Sequence, residues 1–271
     1  MKKMGRRDEM TRLLLRLNAA KDTKYEREHH KQVQGLIYSL LSGSRFGDIH
    51  DKNGYKFFNY SDLFPFSISD LRQGDRKNLL ISSPNCNLIT YLTEQLSYLN
   101  EIEIGRMKFR IDYCKKFDLV LSNYNVFSLI TGTPIVTRIH REKYAEAGAL
   151  DLVNGYDQIY WRVTHPVHLF INQLQDNLVR KYQEFYELDS KTERVTDPIF
   201  HSSKFLKQVA TELFTDKYNT KRITIIGTNW KFKFSGATPL LQFALDCGLG
   251  ERNSLGFGLM NVLDREGRLV N

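Results

Sequence analysis

The sequence predicts an α+β protein built from two successive βαββαβ units, the ferredoxin-like arrangement. Three observations carry this. Apolar periodicity in the N-terminal part runs in the order strand, helix, strand, strand, helix, strand. After a plausible connection at Asp118–Asn125 the same order begins again. Two strand-like stretches also alternate basic with apolar side chains, as in a sheet with one covered and one open face. No residue-level repeat relates the halves, so the duplication rests on element order alone. The domains are expected at 1–121 and 122–271.

In the first unit, Leu13, Leu15 and Leu17 alternate with Arg12 and Arg16, a strand. Residues 29–41 read as a helix, with Val33, Leu36, Ile37, Leu40 and Leu41 at helical spacing and Ser42-Gly43-Ser44 as its stop. A loop carrying Arg45, His50, Lys52 and Lys56 leads to an aromatic strand near 57–66 and another at 78–83. Leu88, Leu92, Leu96 and Leu99 mark the second helix. In the closing strand, Arg106, Lys108 and Arg110 alternate with Met107, Phe109 and Ile111. Ile102 and Ile104 have the opposite parity, so a bulge is expected at Gly105.

The second unit opens with a strand-like stretch over Val126–Ile139, with Pro134 at an edge or bend. Residues 140–164 show no single period. Pro166 suits the first turn of a helix whose stripe is Val167, Phe170, Ile171, Leu174, Leu178, Tyr182 and Phe185. Strands near 204–214 and 221–234 follow, the second with Lys231 and Lys233 facing away from Trp230, Phe232 and Phe234. Thr238 and Pro239 open a helix that Gly248 closes, and a last strand runs through Met260–Leu263.

Composition narrows the function. With 39 Lys and Arg against 31 Asp and Glu the net charge is +8, and 33 aromatic residues add stacking capacity, so a polyanion with unpaired bases is a natural partner. Cys86, Cys114 and Cys247 form no CxxC pair, which argues against a zinc site or a disulfide framework and for a reducing compartment. Leu13–Leu15 is too short a run for a signal-peptide core, and no window approaches the ~18 apolar residues of a membrane span. The expectation is a soluble, cytoplasmic protein without metal, cofactor or membrane partner.

The densest local signal is the segment Gly248-Leu249-Gly250-Glu251-Arg252-Asn253-Ser254-Leu255-Gly256-Phe257-Gly258, between a helix and a strand. Its glycines let backbone N–H groups approach an anion, and Arg252 adds a charged donor. The same glycines also serve as a turn that fixes helix-to-strand geometry. It is neither a Walker loop nor a dinucleotide fingerprint.

This segment, continued through Leu259–Val262, resembles the C-terminal glycine-rich motif of the CRISPR repeat-RNA-processing endoribonucleases, the sixth Cas family, within the repeat-associated RNA-binding superfamily. Val33–Leu40 resembles the first helix of that family and Asn177–Tyr182 its second-domain helix. The resemblance implies tandem ferredoxin-like domains and metal-independent cleavage of repeat RNA by a 2′-hydroxyl, leaving a 2′,3′-cyclic phosphate and a 5′-hydroxyl. It also implies a catalytic set matched here by Tyr38, His50 and Lys56, with His29, His30 and Lys52 as rivals. CRISPR effector subunits and a second copy of the chain are further partners it allows. The competing reading is a catalytically silent RNA-binding subunit of an effector complex.

The residues agree with part of this on their own terms. Tyr38 falls about 130° from the centre of the apolar stripe, on the polar side of its helix. The imidazole of His50 suits proton transfer, and a lysine suits phosphorane charge. RNA contact is expected from Arg106, Lys108, Arg110, Lys231, Lys233, Gly248, Gly250, Arg252, Gly256 and Gly258.

Overall fold

The structure is a computed structural model and describes residues 11–67, 69–119, 121, 126–153, 155–189, 198–214 and 222–270. The expected connection at Asp118–Asn125 lies partly outside them. The chain divides into two compact units, Met1–Val120 and Leu121–Asn271.

In the first unit the strands are β1 (Arg12–Ala19), β2 (Asn59–Tyr60), β3 (Arg76–Ser82), β4 (Glu101–Ile104) and β5 (Met107–Phe117), with helices α1 (His30–Leu41) and α2 (Cys86–Ser97). The sheet order is β2-β3-β1-β5-β4, and every neighbouring pair is antiparallel. Without β4 this is the 4-1-3-2 order of a βαββαβ unit. Leu13, Leu15 and Leu17 of β1 join Leu79, Ile81, Met107 and Phe109 beneath Val33, Ile37 and Leu41 of α1 and Leu88, Ile89, Leu92 and Leu96 of α2. Each fully buried leucine here contributes about 1.5–3 kcal/mol of transfer free energy. Both helices therefore cover one face and leave the other open.

Two expectations are corrected. The strand read over 57–66 is only two residues long; beyond it Ser61 N–H still donates to Leu80 O and Phe64 bridges Asn78, but Pro65 has no N–H with which to continue a ladder. Gly105 is the first residue of a two-residue hairpin turn joining β4 to β5, with Ile104 opposite Met107. Its φ of +62° fits the first central position of a II′ turn, and the turn explains the parity change that a bulge was expected to supply.

In the second unit the strands are β6 (Phe127–Thr131), β7 (Ile135–Val136), β8 (Arg138–His140), β9 (Gln158–Tyr160), β10 (Ile199–Phe214), β11 (Arg222–Ser235) and β12 (Met260–Leu263). Its helices are α3 (Arg141–Glu146), α4 (Val167–Tyr186) and α5 (Thr238–Cys247). The order β10-β11-β6-β12 is again 4-1-3-2 read backwards, with antiparallel neighbours. The stretch 140–164 is a small insertion: β8 pairs β9 around α3 and a 3-10 turn, and Tyr144 donates to or accepts from the buried His165 ring at 2.7 Å. The covered sheet face carries Trp230, whose ring stacks on Phe170 of α4 at 4.8 Å. Among the described residues no helix is long and apolar enough to cross a membrane.

The stripe read for α4 is shifted. Val167 is exposed, whereas Asn177 and Lys181 are buried along with Leu169, Phe170, Leu174 and Leu178. A buried lysine breaks the apolar pattern, and its partners explain it below.

Candidate nuclease site

Tyr38 stands in the third turn of α1. The stripe that is buried runs His30, Val33, Ile37 and Leu41, so Tyr38 lies about a quarter turn from its centre, at the border of the core. Its ring meets Phe58 edge-on at 6.0 Å, and Gln34, one turn earlier, donates to its hydroxyl at 3.3 Å. After α1 the chain makes a 3-10 turn, Gly47–Ile49, whose Gly47 and Asp48 carbonyls accept the His50 N–H. The His50 and Tyr38 rings meet edge-on, with centroids 4.8 Å apart.

His50 Nδ1 sits 2.6 Å from Asp51 Oδ1. That contact fixes a proton on Nδ1 and leaves Nε2 as the working nitrogen. Lys56, just before the aromatic segment, lays its ammonium 5.1 Å from the Tyr38 ring centroid and donates to the His50 carbonyl. An ammonium has three donors, so two remain for phosphate oxygens. The three side chains drawn from the sequence therefore share one half-exposed corner of the first unit.

The rivals lie elsewhere. His29 is 2% exposed: Nδ1 faces the Glu26 carbonyl at 2.8 Å and Nε2 accepts from Leu63 N–H at 3.1 Å. Both nitrogens serve the main chain, and burial holds the imidazole pKa below the ordinary value of 6.5. His30 is buried too, with Nε2 3.6 Å from Asp62, and its carbonyl accepts from the Tyr60 hydroxyl. Burial pushes that tyrosine well above the usual range. Lys52 turns away and rests 4.7 Å from the Phe57 ring centroid.

The basic faces differ between the units. Arg106 is in the β4–β5 turn, not on the strand face. Lys108 and Arg110 are on the open side, but both reach Glu101, at 2.7 and 3.5 Å. The pairing holds the Glu101 carboxyl below its usual range and raises Lys108. In the second unit Lys231 faces Lys204 directly across the β10–β11 ladder, and Lys233 faces Ser202. All three lysines are exposed, and none has an acidic partner among the described residues. Like charges placed opposite each other disfavour the bare sheet and favour a bound anion.

The glycine-rich segment is organised from beneath. Lys181 of α4 is completely buried and donates to Gly248 O at 2.6 Å, Gly250 O at 3.2 Å and Asn253 Oδ1 at 2.9 Å. Three donors thus meet three acceptors, none of them ionised, and the desolvation lowers the lysine pKa. Asn253 Nδ2 in turn donates to Leu249 O and Phe257 O. Gly248 caps α5, Gly256 caps the 3-10 turn Asn253–Leu255, and all four glycines are buried. The residues that reach toward the surface are Glu251, Arg252, Ser254 and Leu255, with Arg252 half-buried in a left-handed conformation at φ +58°.

Asp51, Lys181 and Asn253 were not singled out from the sequence. An acidic residue next to a histidine has no pattern to mark it. Lys181 had one signal, a charge falling between Leu178 and Tyr182 on the buried side of α4.

Each unit has the βαββαβ arrangement, and a glycine-rich turn precedes the last strand of the second. A family model described as CRISPR associated protein Cas6, C-terminal, matches residues 120–262. The CRISPR-associated endoribonuclease Cas6 2 of Methanocaldococcus jannaschii is 32% identical over 93% of this chain and 99% of its own length. The CRISPR-associated endoribonuclease Cas6 of Haloferax mediterranei is 27% identical over 94% of both chains. A solved structure described as an RAMP protein binding different RNA substrates shares the fold at a TM-score of 0.71 and 20% identity, covering 94% of this chain and 100% of its own. The chain belongs to the Cas6 family.

Proposed function

We propose that the chain is a metal-independent endoribonuclease that cuts CRISPR precursor RNA within its repeats. The observation that carries this reading is the convergence of Tyr38, His50 and Lys56, with His50 4.8 Å from Tyr38 and Lys56 5.1 Å from the same ring. The names of the relatives support the substrate class, and a cytoplasmic location goes with this reading.

The ribose 2′-oxygen attacks the adjacent phosphorus and the bond from phosphorus to the 5′-oxygen breaks. One proton leaves the 2′-hydroxyl and one reaches the 5′-oxygen, giving a 2′,3′-cyclic phosphate and a 5′-hydroxyl. His50 Nε2 and the Tyr38 hydroxyl exchange these two protons, each worth typically 10²–10⁴-fold. Lys56 stabilises the equatorial oxygens of the phosphorane. Asp51 orients the His50 ring. Lys204, Lys231, Lys233 and Arg252 of the second unit and Arg106 of the first hold phosphates, while base contacts select the repeat.

The test uses the repeat RNA of the source organism in EDTA, with a companion RNA carrying one 2′-deoxy nucleotide just upstream of the cut. The expected result is cleavage of the first, no cleavage of the second, and a 2′,3′-cyclic end on the product. Cutting of the deoxy substrate, or a requirement for added metal, rejects the mechanism. Tight binding with no cutting of either RNA identifies a silent RNA-binding subunit instead.

A further inference from the structure

Between β2 and β3 the segment Leu63–Ser67 presents two phenylalanines to water while its main chain is fastened from below. Phe64 is 40% and Phe66 59% exposed. Leu63 donates its N–H to His29 Nε2, and its carbonyl accepts from the Tyr25 hydroxyl. Phe64 exchanges both main-chain hydrogen bonds with Asn78, at 2.9 and 2.6 Å. The Lys77 ammonium, on a residue only 3% exposed, donates to the Pro65 carbonyl and, at 2.6 Å, to Ser67 Oγ.

A surface loop with no task does not require a buried ammonium to hold it. Burying that charge costs desolvation, offset here by oxygens of a loop whose apolar side chains point outward. A main chain ordered on folding leaves little entropy to lose when a ligand covers the rings.

The chemistry around the rings indicates the ligand. Tyr25 meets Phe66 edge-on at 5.8 Å, and the Arg27 guanidinium lies 5.7 Å from the Phe66 ring centroid. A flat π face beside a cation matches an unpaired nucleobase joined to its phosphate. An apolar protein surface would use the rings and leave the cation, and a net charge of +8 favours the polyanion.

We infer that Phe64, Phe66 and Arg27 form a platform on which an unpaired base of the RNA stacks. The inference rests on the RNA-cleaving reading above and adds a binding site to it. Phe64 follows Lys56 by eight residues, so their Cα atoms are at most about 29 Å apart. The platform holds nucleotides flanking the cut, on the same unit as the reacting side chains.

The experiment measures repeat-RNA affinity by fluorescence anisotropy for the wild type, Phe64→Ala, Phe66→Ala and Phe66→Tyr. Each protein also meets RNAs in which one unpaired nucleotide at a time is replaced by an abasic unit. Both rings are at the surface, and unchanged Tm values confirm that the variants fold. Phe66→Ala is expected to weaken binding about tenfold, and Phe66→Tyr to restore it. One abasic position should weaken the wild type equally and add nothing in Phe66→Ala, the signature of a direct contact. Wild-type affinity in Phe66→Ala, with the wild type binding and cutting normally, overturns the platform alone. Strict additivity at every abasic position does the same, because the loss in Phe66→Ala then does not come from a base on the ring. A wild type that binds no repeat RNA overturns the platform together with the reading beneath it.

Discussion

At the scale of single residues, the His50 and His29 rings are set apart by what they touch. The His50 side chain is 63% exposed, and its Nδ1 is engaged by Asp51. Asp51→Asn should slow cleavage while leaving RNA affinity unchanged; a loss of affinity equal to the loss of rate would assign Asp51 to binding. His29 is the opposite case, buried with both nitrogens on main-chain groups. Its folded pKa lies below the 6.5 of an exposed imidazole. Between those two values the unfolded chain binds more protons, so stability rises with pH and falls as the solution is acidified through 6.5. His29→Gln keeps an acceptor for Leu63 N–H and removes the titration. Urea unfolding from pH 7.5 to 5 should therefore show a flatter profile for His29→Gln than for the wild type; parallel profiles would contradict the assignment. The sequence left His29 standing as a rival to His50, because what separates them is burial by β2 and its loop, a tertiary effect.

At the scale of elements, the glycine-rich segment is an internal joint as much as a surface feature. A Cβ on Gly258, at φ +78°, would meet the Leu249 carbonyl oxygen at 1.9 Å, whereas Gly267, at φ +79°, has nothing within 4 Å. Gly267→Ala should cost about 1 kcal/mol, the ordinary left-handed penalty, and Gly258→Ala about 3 kcal/mol or more, since backbone must shift. Chemical denaturation compares them, and equal losses would refute the packing role. Lys181→Met leaves three acceptors without their ammonium and should destabilise the protein by about 2–3 kcal/mol. Helix and strand order were legible because Leu13–Leu17, Val33–Leu41 and Leu88–Leu96 repeat with clean periods. Three features were not. The aromatic stretch 57–66 reads as a longer strand than the two-residue β2, the Gly105 hairpin reads as a bulge, and the 140–164 insertion is too short-stepped for any period. The glycine segment was seen, but its inward-facing carbonyls were not, since no local pattern names Lys181, 67 residues before Gly248, as their partner.

At the scale of the whole molecule, charge placement matters more than the +8 total. Lys108 and Arg110 share Glu101, while Lys231 faces Lys204 with no acidic partner among the described residues. Affinity for repeat RNA should fall linearly with the logarithm of salt, and Lys231→Ala should reduce that slope by about 0.7. Lys108→Ala should reduce it less; equal effects would show that Glu101 does not neutralise its neighbours when RNA binds. Salt titrations of both variants decide this. The tandem fold and the Tyr38–His50–Lys56 corner then make one central claim, that this corner cuts RNA. Its most direct test is single-turnover cleavage of the repeat RNA by His50→Ala in EDTA, beside an affinity measurement on the same protein. The expected result is a rate loss of about 10²–10⁴-fold with affinity unchanged. A variant that cuts at the wild-type rate would contradict it.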